Sequence, residues 1–135
     1  MSIVLAHQKS SSHQLALEEA AKQAQLRQTS LVVIHVAEGV DVDVNEEQSR
    51  RLREEIVGGL QKISLDGVPW ELQVATGEDV ADAILEQAAG ADAELLVIGA
   101  RRRNPVGKLF MGSVTQKLIL RADIPVLVVK AAAGR

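Results

Sequence analysis

The chain has no cysteine and no tyrosine, and only one tryptophan and one phenylalanine. Without cysteine there is no disulfide, no thiolate nucleophile and no Cys-based metal site. With Trp70 and Phe110 as the only aromatic residues, the core has to be built from Val, Ile, Leu and Ala. No run of about 18 apolar residues occurs, so no membrane-spanning helix is expected. The first ten residues, MSIVLAHQKS, lack the basic flank and long apolar stretch of a secretion signal. A soluble cytoplasmic protein is the resulting expectation. A net charge of −3 argues against general binding to nucleic acid and makes any local basic stretch stand out.

What is present is ordinary globular composition, 47% hydrophobic and 24% charged over 135 residues. That length predicts one domain, residues 1–135, with 131–135 as a loose tail. Along it, short apolar runs alternate with segments of helical period. Ile3 to Ala6 reads as a first buried strand, followed by His7, Gln8 and Lys9 as its exit loop. Ser11 with Gln14 makes a capping box for a first helix whose stripe is Leu17, Ala20, Ala21 and Ala24. Leu31 to Val36 is the second strand, and Gly39 to Val44 a loop. Asn45 caps a second helix carrying Leu52, Ile56, Leu60 and Ile63. Gly58 and Gly59 cost that helix about 1 kcal/mol each against Ala, which predicts a soft or closely packed second half.

Asp66-Gly67 breaks the helix, and Pro69 opens a third strand in which Trp70, Leu72 and Val74 alternate with polar residues. Alternation and the leading proline predict an edge strand. Residues 76–79 lead into a third helix bearing Val80, Ala81, Ile84, Leu85 and Ala88 and ending at Gly90. Leu95 to Ile98 is the fourth strand, Ser113 to about Arg121 the fourth helix, and Pro125 to Val129 the last strand. Strand–helix alternation with continuously apolar strands predicts an α/β, doubly wound (Rossmann-like) domain. Its sheet has five parallel strands, in order 3-2-1-4-5, with helices on both faces. Ligands of such sheets bind beyond the C-terminal strand ends where the order reverses, here between the first and fourth strands.

The facing segment is IGARRRNPVGKLFMGSVT, Ile98 to Thr115. It turns on Gly99, carries Arg101, Arg102, Arg103 and Lys108, and reaches a helix start signalled by Ser113 as cap with Gln116 three residues on. Free N–H groups at a helix start, a close-approach glycine and cations together suit an anion, most naturally phosphate. Other chemistries fit poorly. A Walker A loop fails because Leu109 follows Gly107-Lys108 and Arg102 stands where its first glycine belongs. The first strand is not followed by the glycines of a dinucleotide fingerprint. It also does not end in the acidic cluster of a receiver domain. No G-x-S-x-G nucleophile elbow occurs. His7, His13 and His35 have no ligand spacing among themselves, so no metal site is expected.

The Gly99-to-Ser113 spacing, HVAEG after the second strand, and the closing ADIPVLVVK together resemble the universal stress protein family over the whole chain. The resemblance implies a single domain of this topology, usually a homodimer, of which some members bind ATP and others do not. Carried over by position, the implied nucleotide contacts are Ala6, His7 and Gln8 after the first strand and the backbone of Val36. On the facing side they are Gly99, Arg101 and Arg102, with Gly112, Ser113, Val114 and Thr115 at the helix start. Two positions depart from the ATP-binding pattern: Arg102 replaces a glycine and Gln8 replaces an aspartate that serves the nucleotide. Arginine removes close backbone approach but can pair a phosphate directly. Glutamine offers no carboxylate to Mg²⁺.

The reading that follows is a regulatory homodimer, without catalytic residues or fast chemistry, binding ATP, AMP or a similar phosphate-bearing ligand. The same fold used as an interaction module without nucleotide is the alternative, and a small hydrolase ranks last. The last strand, 125–129, would otherwise leave an apolar edge unpaired, which predicts that it forms the dimer contact.

Overall fold

The computed structural model describes residues 1–7, 13–36, 46–75, 78–102, 109–110 and 112–131. The elements are β1 (Ser2–His7), α1 (His13–Leu26), β2 (Ser30–Val36), α2 (Glu46–Lys62), β3 (Trp70–Ala75) and α3 (Val80–Gly90). They continue with β4 (Ala93–Arg102), β5 (Leu109–Phe110), α4 (Ser113–Arg121) and β6 (Val126–Ala131). The expected caps Ser11 and Asn45, the 39–44 loop, Gln8, Lys9, residues 103–108 and the tail beyond Ala131 lie outside the described residues.

Five parallel strands run in the order β3-β2-β1-β4-β6, the predicted arrangement with β6 as the fifth parallel member. The alternation of side chains divides the core in two. Ile3, Leu5, Leu31, Val33, Leu95 and Val97 face α1 and α2 on one side. Val4, Ala6, Val32, Ile34, Leu96 and Ile98 face α3 and α4 on the other. These strands read as continuous apolar runs because both of their faces are covered. β3 is the edge strand that Pro69 and the Trp70/Leu72 alternation predict. Both side chains are only partly buried, packing against the margin of the α1/α2 core.

The second half of α2 is closely packed at Gly59. A Cβ there would lie 2.7 Å from Leu17 Cδ2 and 2.8 Å from Gln14 Oε1. The Gln14 amide donates to the Gly59 carbonyl at 3.2 Å, so this side chain ties α1 to α2. Gly58, next to it, has open space where a Cβ would go. On the other face Asp79 caps α3, accepting from the Asp82 N–H. Arg121 of α4 bonds both Asp79 and Asp82. The Asp82 N–H, and then the Arg121 bond, hold the Asp79 carboxyl below its ordinary value.

Two local expectations need correction. The fourth strand does not end at a turn on Gly99 but continues through Arg102. Gly99, Ala100 and Arg101 pair with Val129, Lys130 and Ala131 of β6, and Arg101 and Arg102 also pair antiparallel with Phe110 and Leu109 of β5. Since Leu96 pairs with both Val4 and Val126, β6 holds the edge of β4 away from β1. β5 therefore takes the edge that β1 leaves open after Ala6. Distant backbone partners override the local preference of a glycine to turn. The second correction concerns α4. Its N-cap is Gly112, with φ −65° and ψ 166°, and Ser113 is the first helical residue. The Gly112 carbonyl accepts from the Gln116 N–H at 3.1 Å. The extended conformation that defines a cap falls one residue earlier than the serine suggests.

Candidate functional site

The C-terminal ends of β1 and β4 lie side by side, with Ala6 in register with Ile98. The chain leaves β1 toward α1 and returns from β4 toward α4, which cover opposite faces of the sheet. A crevice opens at such a divergence, with backbone N–H groups of a helix start on one side. Gly112 brings no side chain to the α4 start, and no capping side chain accepts from its first turn. Those donors are thus uncovered by the N-cap residue, as an anion site requires. Gly112 and Ser113 are exposed, Val114 packs partly against the α3/α4 core, and Thr115 is buried.

The other predicted positions fall around the same edge. Ala6 and His7 end β1, both buried. Val36 ends β2, paired with Ala75 of β3. Gly99 is a half-buried strand residue rather than a turn. Arg101 and Arg102 close β4, Arg101 paired with both β6 and β5 and Arg102 with β5. Gln8, Arg103 and Lys108 lie outside the described residues.

Sequence spacing missed one constellation. His7, the last residue of β1, is in register with His35, one residue before the end of β2. Their Nδ1 atoms are 3.0 Å apart, and their ring centroids are 5.3 Å apart. The ring radii account for nearly all of the difference, so the two nitrogens meet head-on and share one hydrogen bond, one ring donating and the other accepting. The His13 ring, at the first residue of α1, stands edge-on to His7 with centroids 5.5 Å apart. His7 is 3% exposed. Burial, then the neighbouring His35 and His13, lower its pKa to about 4, so it is neutral at physiological pH. The head-on geometry is that of a hydrogen bond, whereas two metal ligands would aim at a common point off the line between them. Among the described residues no group of three His, Cys, Asp or Glu side chains could hold a metal ion. The signal was present all the same: histidines near the C-terminal ends of neighbouring parallel strands are brought level by the register.

A separate cleft of about 540 Å³ opens at the opposite pole of the sheet, lined by Thr29, Ser30, Ser64, Leu65, Val68 and Pro69 among others. It has no charged lining residue and sits at the N-terminal strand ends, away from the crevice.

The fold and the crevice define a doubly wound, Rossmann-like α/β protein. Residues 1–130 match the model of the universal stress protein family, and the chain belongs to that family. A universal stress protein of Mycolicibacterium smegmatis is 41% identical over 116 residues, which cover 85% of this chain and 86% of that one. The solved universal stress protein of Archaeoglobus fulgidus superposes with a TM-score of 0.75 at 33% identity, covering 96% of this chain and 98% of that one. A structure of the Archaeoglobus protein in complex with dAMP aligns at 28% identity with a TM-score of 0.68, over 96% of this chain and 98% of that one. No helix among the described residues is long and apolar enough to cross a membrane.

Proposed function

We propose that this chain is a regulatory universal stress protein that binds an adenine nucleotide in the crevice between β1 and β4. The observation that carries the reading is the glycine-capped start of α4, set at the strand ends where the sheet order reverses. The dAMP complex of a relative with 28% identity supports adenine as the base. Ala6, His7, Gln8 and the Val36 backbone line the base side. Gly99, Arg101, Arg102 and the Gly112 to Thr115 turn serve the ribose and phosphates. Gln8 and Arg102, both departures from the ATP-binding pattern, favour a monophosphate over a Mg²⁺-bound triphosphate. They equally favour a second reading, an interaction module that binds no nucleotide.

Mass spectrometry of gently denatured, freshly purified protein separates the two readings, together with calorimetry against AMP and ATP. Co-purified nucleotide, or a heat of binding that falls with salt and with Arg101→Ala, is the expected result. No heat and no thermal shift at millimolar nucleotide would leave the interaction module in its place.

We further propose that the working unit is a homodimer joined through β6. Among the described residues the only strand partner of β6 is β4, and Val126 to Val129 are all only half-buried. An apolar strand edge of this kind is normally covered.

A further inference from the structure

We propose that Gln87 guards the outer edge of β3 against pairing with a second copy of the chain. The sheet can then be extended only at β6. Among the described residues the only strand partner of β3 is β2, and the register fixes which backbone groups that pairing uses. The Leu31 N–H donates to the Pro69 carbonyl at 2.8 Å, and Leu31 stands opposite Trp70. Successive residues of a strand turn their backbone groups to opposite edges. The N–H groups of Glu71, Gln73 and Ala75 therefore point to β2. Those of Trp70, Leu72 and Val74, with their carbonyls, point outward.

An edge of this kind is a template for its own copy. Two β3 strands meeting antiparallel about a two-fold axis at Leu72 would set Trp70 opposite Val74 at both ends. Each Val74 carbonyl would then accept from a Trp70 N–H of the other copy. That acceptor is already taken. The Gln87 side chain reaches from α3 to the Val74 carbonyl, its Nε2 donating at 2.9 Å. The amide nitrogen thus sits where the nitrogen of an incoming strand would have to lie, at both ends of the junction. Its orientation is fixed, because a flipped amide would turn Oε1 against another acceptor. Gln87 Oε1 is buried and has no hydrogen-bond partner. The side chain therefore serves the strand edge at the expense of its own acceptor. The opposite end of β3 is closed by the chain itself, since the Val68 N–H turns back to the Leu65 carbonyl at 3.1 Å. A sheet open at both edges adds copies without limit, whereas one open at a single edge stops at two. The guard stands on β3 and Gln87 alone, and the stop at two copies rests on the β6 dimer proposed above.

The test is Gln87→Ala in the full chain, which keeps a good helix former in α3 and removes the donor. Sedimentation velocity over a range of concentrations should show this variant growing past the wild-type species. Gln87→Lys, whose ammonium can still donate to the carbonyl, should keep the wild-type size. Amide hydrogen exchange locates the contact. In the wild type Leu72 and Val74 should exchange faster than Glu71 and Gln73. In assembled Gln87→Ala they should slow by about tenfold or more. A wild-type dimer with a polymeric Gln87→Ala supports both the guard and the β6 contact. A wild-type monomer with a dimeric Gln87→Ala keeps the guard and removes the β6 contact. Gln87→Ala of wild-type size would overturn the inference. So would polymers of Gln87→Lys, or larger assemblies in which Leu72 and Val74 exchange as in the wild type.

Discussion

Single side chains at the strand ends carry the sharpest consequences. His7 is the clearest case, because its pKa in the folded chain falls to about 4 from an ordinary 6.5. Between those values the unfolded chain binds more protons than the folded one, so stability falls as the pH drops. The contribution is whole above pH 6.5 and is lost progressively towards pH 4. The full loss is roughly 3 kcal/mol at about 1.4 kcal/mol per pH unit of displacement. Urea unfolding at pH 7.5, 5.5 and 4.5 should show this decline in wild type and a shallower one in His7→Gln. Identical declines would mean that His7 is not the group held neutral.

Arg102 supplies a second prediction at this scale. It ends an extended strand, so its backbone does not need the unusual φ that a glycine allows. Whatever it does to a ligand, it does through its side chain. Arg102→Gly should strengthen ATP binding severalfold if the side chain blocks the triphosphate, and leave AMP little changed. Calorimetry in which ATP weakens instead would identify the guanidinium as a phosphate partner. Unchanged binding of ATP and AMP alike would exclude both roles.

At the scale of elements, α1 and α2 are locked by contact rather than by helix propensity. Gly58 and Gly59 look alike in sequence but differ in surroundings. Gly58→Ala meets nothing and should stabilise the chain by about 1 kcal/mol through helix propensity. Gly59→Ala sets its methyl against Leu17 and Gln14, and Leu17 is itself buried in the core. Overpacking of about 1–3 kcal/mol outweighs the propensity gain, and the Gln14 bond to the Gly59 carbonyl is strained as well. Denaturant midpoints should therefore move in opposite directions. Two upward shifts would show that Leu17 and Gln14 can rearrange freely.

At the scale of the whole molecule, β6 ends the parallel sheet with half-buried Val126, Leu127, Val128 and Val129. Leu127 and Val129 pack towards the α1/α2 core, and Val126 and Val128 towards the α3/α4 core. Pairing with a second copy about a two-fold axis would satisfy the strand backbone and cover both rows of side chains at once. Light scattering at micromolar concentration should report a dimer for the wild type. Leu127→Asp should give a monomer or insoluble protein. A wild-type monomer would remove the dimer from the proposed function.

The sequence alone determined the architecture, because it rests on period and repetition. Apolar runs such as Leu31 to Ile34 and helical stripes such as Leu17, Ala20 and Ala24 are local patterns that can be read without knowing their neighbours. Their alternation leaves few ways to stack a parallel sheet. The helix start at Gly112 and Ser113 was legible for the same reason, although its cap lies one residue earlier than the serine suggests. Only the tertiary structure decided where β4 ends, since Gly99 to Arg102 are held by β6 and β5 from distant parts of the chain. It likewise decided that His7, His13 and His35 meet. Residues brought together by register between strands and by the docking of a helix leave no spacing in the sequence. Burial, which holds His7 neutral, is a property of what surrounds a side chain and not of the side chain itself.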